Sequence, residues 1–170
     1  INGTASGNTT DVFGGLGDDT VAGAGASTAG ELNINVGPGD DNVAFANAVT
    51  GNLMLTGGSG ADTLNLTNVS GNTTLYGGMG QADSTDGADT VASTGTGNLT
   101  AFLNAGNDTL AIGAIANGNT QTTNMGIGND TITDGGAAAG TSNIFGGWGN
   151  DTFTLNNAST GTLNVYGGNA

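Results

Sequence analysis

Apolar and polar residues alternate along this chain in bursts of four or five, separated by glycine-rich turns. Asp62-Thr63-Leu64-Asn65-Leu66 is one burst and Thr73-Thr74-Leu75-Tyr76 another. Alternation over so few residues marks a half-buried strand, and no window of useful length carries the helical period. Each unit therefore has four parts: a glycine-aspartate turn, a first strand, a polar turn such as Asn68-Val69-Ser70-Gly71-Asn72, and a second strand leading into the next glycine turn.

Aligning the units sorts the strands into faces. Val21, Val43, Leu64, Val91, Leu110, Ile132 and Phe153 form one column that should point inward. Val12, Ile34, Leu55, Leu75, Ala101, Thr123, Ile144 and Val165 form the column facing it across a thin core. Ladders of like residues support one another only when stacked, so a single unit has no stability of its own. The pattern predicts an all-β parallel β-solenoid, a β-roll, of about eight coils with a period near 21 residues, at roughly 4.8 Å per coil. Two places depart from it. The turn at Gly77-Gly78-Met79-Gly80 carries an insert, 81–86, expected to bulge outward, and the coil around Gln121 and Thr123 places polar residues at inward positions, which predicts the softest part of the stack.

The glycine turns carry the chemistry. Gly14-Gly15-Leu16-Gly17-Asp18-Asp19, Gly57-Gly58-Ser59-Gly60-Ala61-Asp62 and Gly146-Gly147-Trp148-Gly149-Asn150-Asp151 are full copies of one motif. Weaker copies end at Asp41, Asp89, Asp108 and Asp130; Val36 and Met125 replace the first glycine in two of them, and Leu103-Asn104 replaces the pair in a third. Asn is the most tolerable substitute where φ is positive. Successive aspartates are 22, 21, 27, 19, 22 and 21 residues apart. Coiling at that period sets Asp19, Asp41, Asp62, Asp89, Asp108, Asp130 and Asp151 in one column. Carboxylates about 5 Å apart repel by about 3 kcal/mol per pair at an effective dielectric near 20.

Nothing in the chain relieves this repulsion, because its 170 residues include no Lys, Arg or His against 14 acids. A hard divalent cation between successive turns would relieve it, bound by carboxylate oxygens and the carbonyls that glycine turns expose. Ca2+ suits such an all-oxygen, flexible site better than Mg2+. The lack of His and Cys disfavours metals that seek nitrogen or sulfur. Seven turns give six gaps, hence about six Ca2+. The bland alternative is plain turn chemistry, with each Asp bonding nearby amides; the regular repetition favours metal. Asp18 and Asp40 read as solvated or outer-shell, and Asp83 and Asp86 as a cap on the row or one further site.

The motif Gly-Gly-x-Gly-x-Asp-x-(large apolar)-x resembles the calcium-binding nonapeptide of the RTX, or repeats-in-toxin, family, in full at 14–22, 57–65 and 146–154. The chain departs from the common toxin form in carrying the motif on one edge only, similar to single-edge coils of RTX adhesins. The resemblance implies a calcium-bound β-roll, bacterial type I secretion and an extracellular role.

A net charge of −14 repels phosphate backbones and anionic lipid, which argues against nucleic acid and membrane partners. No apolar run approaches the length of a membrane span. Without His, Cys, Lys or Arg, and with the carboxylates given to metal, no activated nucleophile or base is visible, so no enzyme is expected. Chain 1–170 reads as one repeat domain, a processed product or excerpt of a longer secreted protein. Aromatic residues cluster just before the glycine pairs, at Phe13, Tyr76, Phe102, Phe145 and Tyr166, with Trp148 in a turn beside them. This column is expected to contact another subunit or, as the alternative, sugar rings. The outward Thr ladder, Thr20 to Thr152, raises ice binding, which the varied third motif position argues against.

The expectation is a calcium-stabilised extracellular structural protein that polymerises end to end or laterally, as a filament, surface layer or adhesin stalk. The alternatives are a carbohydrate- or ice-binding adhesin module, or an RTX secretion and folding segment of a toxin or hydrolase.

Overall fold

The structure, a computed structural model, describes residues 7–23, 30–45, 48–67, 69–95, 97–113, 115–134, 139–155 and 160–169. It is all-β, a parallel β-solenoid, with no helix among the described residues. Eight strands form one sheet: β1 (Thr9–Phe13), β3 (Glu31–Pro38), β5 (Asn52–Ser59), β7 (Thr73–Tyr76), β9 (Leu99–Phe102), β11 (Thr120–Ile127), β13 (Thr141–Trp148) and β15 (Thr162–Tyr166). Seven form the other: β2 (Thr20–Gly23), β4 (Asn42–Phe45), β6 (Thr63–Asn65), β8 (Thr90–Ser93), β10 (Thr109–Ile112), β12 (Thr131–Asp134) and β14 (Thr152–Leu155). Every strand pairs in parallel with its counterpart one coil away, so eight strands against seven make seven coils and half of an eighth.

Register follows the motif. Val21 pairs with Val43, Val43 with Leu64 and Leu64 with Val91, so like residues stack into the columns read from the alternation. A one-residue slip would turn every apolar side chain to solvent, and the glycine turns would no longer coincide. Val43, Leu55, Leu64, Leu75, Leu110, Ile132 and Ile144 are fully shielded. Val12 and Phe153 at the two ends pack against the core but stay half-exposed, while Val165 is exposed.

Three further columns face inward that strand alternation alone did not assign. One contains Leu32, Leu53, Thr73, Leu99, Gln121 and Ser142; another holds Phe45, Leu66, Ser93, Ile112 and Asp134. The third is the first glycine of the motif. Val36, Leu103 and Met125, the residues that weaken three motif copies, are completely buried there. Their side chains fill the core at the price of a glycine. The opposite turn is less polar than its sequence implied. Val69 is buried and forms a parallel bridge with Val49, while Asn68 lies outside the described residues.

The second motif glycine explains the close stacking. Gly58 has φ 124°, and a Cβ there would collide with the carbonyl of Gly37 in the preceding coil. Asn104 takes the equivalent position at φ 75°, as its short polar side chain permits.

Candidate metal centre

The seven motif aspartates stand in one column, each at the entry to a strand of the seven-stranded sheet. Their local geometry repeats. The backbone N–H of Asp19 donates to Oδ1 of Asp41 at 2.7 Å, Asp41 to Asp62 at 2.8 Å, and Asp62 to Asp89 at 2.9 Å. Asp89 donates to Asp108 at 2.8 Å, Asp108 to Asp130 at 2.8 Å, and Asp130 to Asp151 at 3.1 Å. One oxygen of each carboxylate from Asp41 onward is thus satisfied by the main chain of the preceding coil. The other is not: Oδ2 of all seven is buried without a hydrogen-bond partner. Asp41, Asp62, Asp89, Asp108 and Asp130 are at most 2% exposed, which keeps these oxygens from bulk solvent. Leaving a buried charged oxygen unmatched is among the costlier arrangements in a protein.

The unmatched oxygens face main-chain carbonyls. A Cβ built on Gly57 would crowd both Asp62 Oδ2 and the carbonyl oxygen of Gly77 in the next coil. The same cradle recurs at Gly14, with Asp19 and Val36 O, at Gly77, with Asp89 and Leu103 O, and at Gly146, with Asp151 and Gly167 O. Glycine keeps this space clear between a carboxylate oxygen without a donor and a main-chain carbonyl oxygen, which has a second lone pair to offer even where a backbone amide already bonds it. Such a donor set fits a hard cation and nothing that ligates through nitrogen or sulfur. Among the described residues no three acidic side chains converge on one point. Any ion in the row would therefore depend on carbonyls as much as carboxylates. Asp151 faces the eighth half-coil, so the row extends one cradle beyond the six gaps between its aspartates.

Burial sets the acidity. It is the largest cause raising Asp62 and Asp130 from 3.8 to about 6, and Asp89 and Asp108 to about 8. Asp41 is raised for the same reason. The bond from the preceding coil's amide opposes the shift, and neighbouring carboxylates add to it.

Asp18 and Asp40 are exposed, as expected for residues outside the row. They begin a second ladder of opposite sense, in which Asp40 N–H donates to Asp18 Oδ1 at 3.0 Å and Ala61 N–H to Asp40 Oδ1 at 2.9 Å. Asn107, Asn129 and Asn150 continue it.

The insert bulges at its tip but returns at its end, a turn inward that strand alternation does not foretell. Asp83 is held outside by the Thr85 hydroxyl at 2.5 Å, by the Thr85 amide at 3.0 Å and by Ser59 Oγ at 2.9 Å, and these bonds, the Thr85 hydroxyl foremost, lower its pKa. Asp86 turns inward, where Oδ2 accepts from Ala105 N–H at 3.2 Å and Oδ1 is buried without a partner. Burial raises its pKa to about 6.

The aromatic column lies on the outer face of the eight-stranded sheet. Tyr76 and Phe102 stack at 5.6 Å, and Phe145 and Tyr166 at 4.7 Å. Phe13 is 76% and Trp148 58% exposed, whereas Phe102 is half-buried. The Thr ladder also faces out. In the coil read from sequence as polar, Gln121 Nε2 and Thr123 Oγ1 are buried without partners, as is Ser142 Oγ in the coil that follows.

No helix is long and apolar enough to cross a membrane among the described residues. Comparison of the chain with protein-family models, with curated proteins and with solved structures finds no match.

Proposed function

We propose that this chain is a calcium-stabilised structural repeat of the RTX type, acting outside the cell as part of a self-assembling filament, surface layer or adhesin stalk. The observation that carries the reading is the file of seven buried Oδ2 atoms without donors, in a chain that has no cation of its own. About six Ca2+, and a seventh at the last half-coil, would give these oxygens the charge they lack. Asp19, Asp41, Asp62, Asp89, Asp108, Asp130 and Asp151 would supply the carboxylates, and the carbonyls of the next coil would complete each shell. The aromatic ridge of Phe13, Tyr76, Phe102, Phe145, Trp148 and Tyr166 supports lateral contact between copies, since it exposes large apolar surface on an otherwise polar sheet.

The reading assigns no catalytic role. Circular dichroism and light scattering during a Ca2+ titration of chelator-treated protein test it. Folding followed by particle growth is expected. Folding without growth would leave a calcium-bound module that binds something other than itself, carbohydrate first. A β-signal indifferent to chelator and to Ca2+ would refute the metal row.

A further inference from the structure

The fourth coil breaks the rules that the other coils share. Its second motif glycine, Gly78, is not left-handed, although Gly15, Gly37, Gly58, Asn104, Gly126, Gly147 and Gly168 at the same position all are. The ladder is re-routed there: Gly78 O accepts from Asn104 Nδ2 at 2.8 Å, and the Ala105 amide turns to Asp86 Oδ2. In the first and third coils the second-glycine amide occupies the carbonyl that faces the row, Gly15 bonding Val36 O at 3.0 Å and Gly58 bonding Gly77 O at 2.7 Å. No counterpart from Gly78 to Leu103 O exists among the described residues. Leu103 O is the carbonyl in the Asp89 cradle.

Acceptors therefore line two consecutive glycines where the fourth coil meets the fifth: Asp89 Oδ2 and Leu103 O beside Gly77, and the Asp86 carboxylate, its Oδ1 unpartnered, beside Gly78. Asp89 is 1% exposed, and its free oxygen points to Gly77 while the Asp86 carboxylate closes on the adjacent Gly78. Asp86 is the foremost like charge acting on Asp89, ahead of Asp62, and it acts on Asp62 and Asp108 as well. We infer that the insert builds a distinct divalent-cation site, in which Asp86 joins Asp89 and Leu103 O, and that this site fills before the rest of the row. Such a site rests on the proposal that the row binds calcium. More carboxylate charge in a site means tighter binding of a hard cation, and here the added carboxylate comes with a carbonyl released from the ladder. The insert thus sets a starting point for filling the row.

The test is calorimetric titration of the full chain with Ca2+, comparing wild type, Asp86→Asn and Asp18→Asn. In Asp86→Asn the side-chain amide oxygen can still accept from the Ala105 N–H, so the ladder is kept while the charge is removed. Wild type should show one step at least about tenfold tighter than the others. Asp86→Asn should merge that step with the rest, and Asp18→Asn, which removes an exposed charge, should leave it in place. A titration of Asp86→Asn superimposed on wild type would overturn the site while sparing the row, as would equal weakening by Asp18→Asn. No Ca2+ uptake by wild type would refute the row and this site together. If Asp86→Asn does not fold, cadmium NMR of the unaltered chain decides: one resonance apart from the rest supports the site, and a single envelope refutes it.

Discussion

Raising the pH of the calcium-free protein from about 5 to about 8 should unfold it, the reverse of the behaviour of a domain whose carboxylates are salt-bridged. The perturbation acts on the buried row. Asp89 and Asp108 hold their protons up to about pH 8, and Asp62, Asp86 and Asp130 up to about pH 6, against an ordinary value of 3.8. Between those limits the folded chain binds more protons than the unfolded one, so stability falls as pH rises. The stabilisation is complete below about pH 4 and is lost in steps through about 6 and about 8. Asp83 titrates in the opposite sense, but alone. Moving one carboxyl from 3.8 to about 8 corresponds to on the order of 5 kcal/mol. Asp89 and Asp108 act on each other, so the two shifts do not simply add, but one alone is a large fraction of the stability of a typical domain. Ionising both without a counter-ion therefore sets a large cost against the apolar core that holds the coils together.

The assay is urea unfolding followed by circular dichroism across this pH range, with chelator and again with saturating Ca2+. With chelator the midpoint should fall steadily and vanish near neutrality. With Ca2+ it should rise over the same range, because the cation takes the place of the protons and binds better as they leave. A chelated protein whose midpoint is constant or climbs from about pH 5 to about pH 8 would refute the burial of the row.

Asp108→Asn should stabilise the calcium-free protein at neutral pH by about 2 kcal/mol or more, since an amide needs no counter-charge, and should remove part of the Ca2+ response; paired unfolding curves with and without Ca2+ check both signs. Gly57→Val should fold, because Val36 already occupies the same position in the second coil, yet should crowd the cradle between Asp62 Oδ2 and Gly77 O; titration should show one ion bound more weakly than in the unaltered chain. Thr123→Val removes a fully buried hydroxyl without a partner while keeping its shape, and should raise stability by about 1 kcal/mol, read from the urea midpoint. Tyr166→Ser breaks the Phe145 stack and should slow Ca2+-dependent particle growth by light scattering while leaving the folding transition in place.

The columns of the two strands and the file of aspartates were legible because a period near 21 residues brings like residues into register, whatever the details of the turn. The inward direction of the first motif glycine was less obvious, although Val36, Leu103 and Met125 carried the signal: apolar residues replace glycine only where the position faces a core. Taken as failures of a motif, they read as weakened ion sites rather than core packing. Asp83 and Asp86 were read together as a cap on the row or one further site, but which of the two turns inward was not legible. The position of Asp86 depends on where the 81–86 insert re-enters the coil, and on Gly78 giving up the left-handed conformation that its neighbours keep.

Those two features also divide the row. Asp19, Asp62, Asp89 and Asp151 each face a cradle backed by glycine, while Asp41, Asp108 and Asp130 share their coils with Val36, Leu103 and Met125, whose side chains are packed inside. A coil with an apolar residue at that position gains core and gives up open space beside its carboxylate; a coil with glycine does the reverse. The middle of the solenoid, where Leu103 and Met125 fall in consecutive coils, is therefore held more by packing, and under the proposed calcium reading the coils with glycine at that position would depend more on ions. That same middle contains the unpartnered Gln121 and Thr123, so its packing is compromised just where it matters most. The coil before it carries the insert, with Asp83, Asp86 and Asp89. An ion at the proposed Asp86–Asp89 site would tie the fourth coil to the fifth, the coil on which Gln121 and Thr123 stack, and so would brace the part of the stack that apolar contacts secure least.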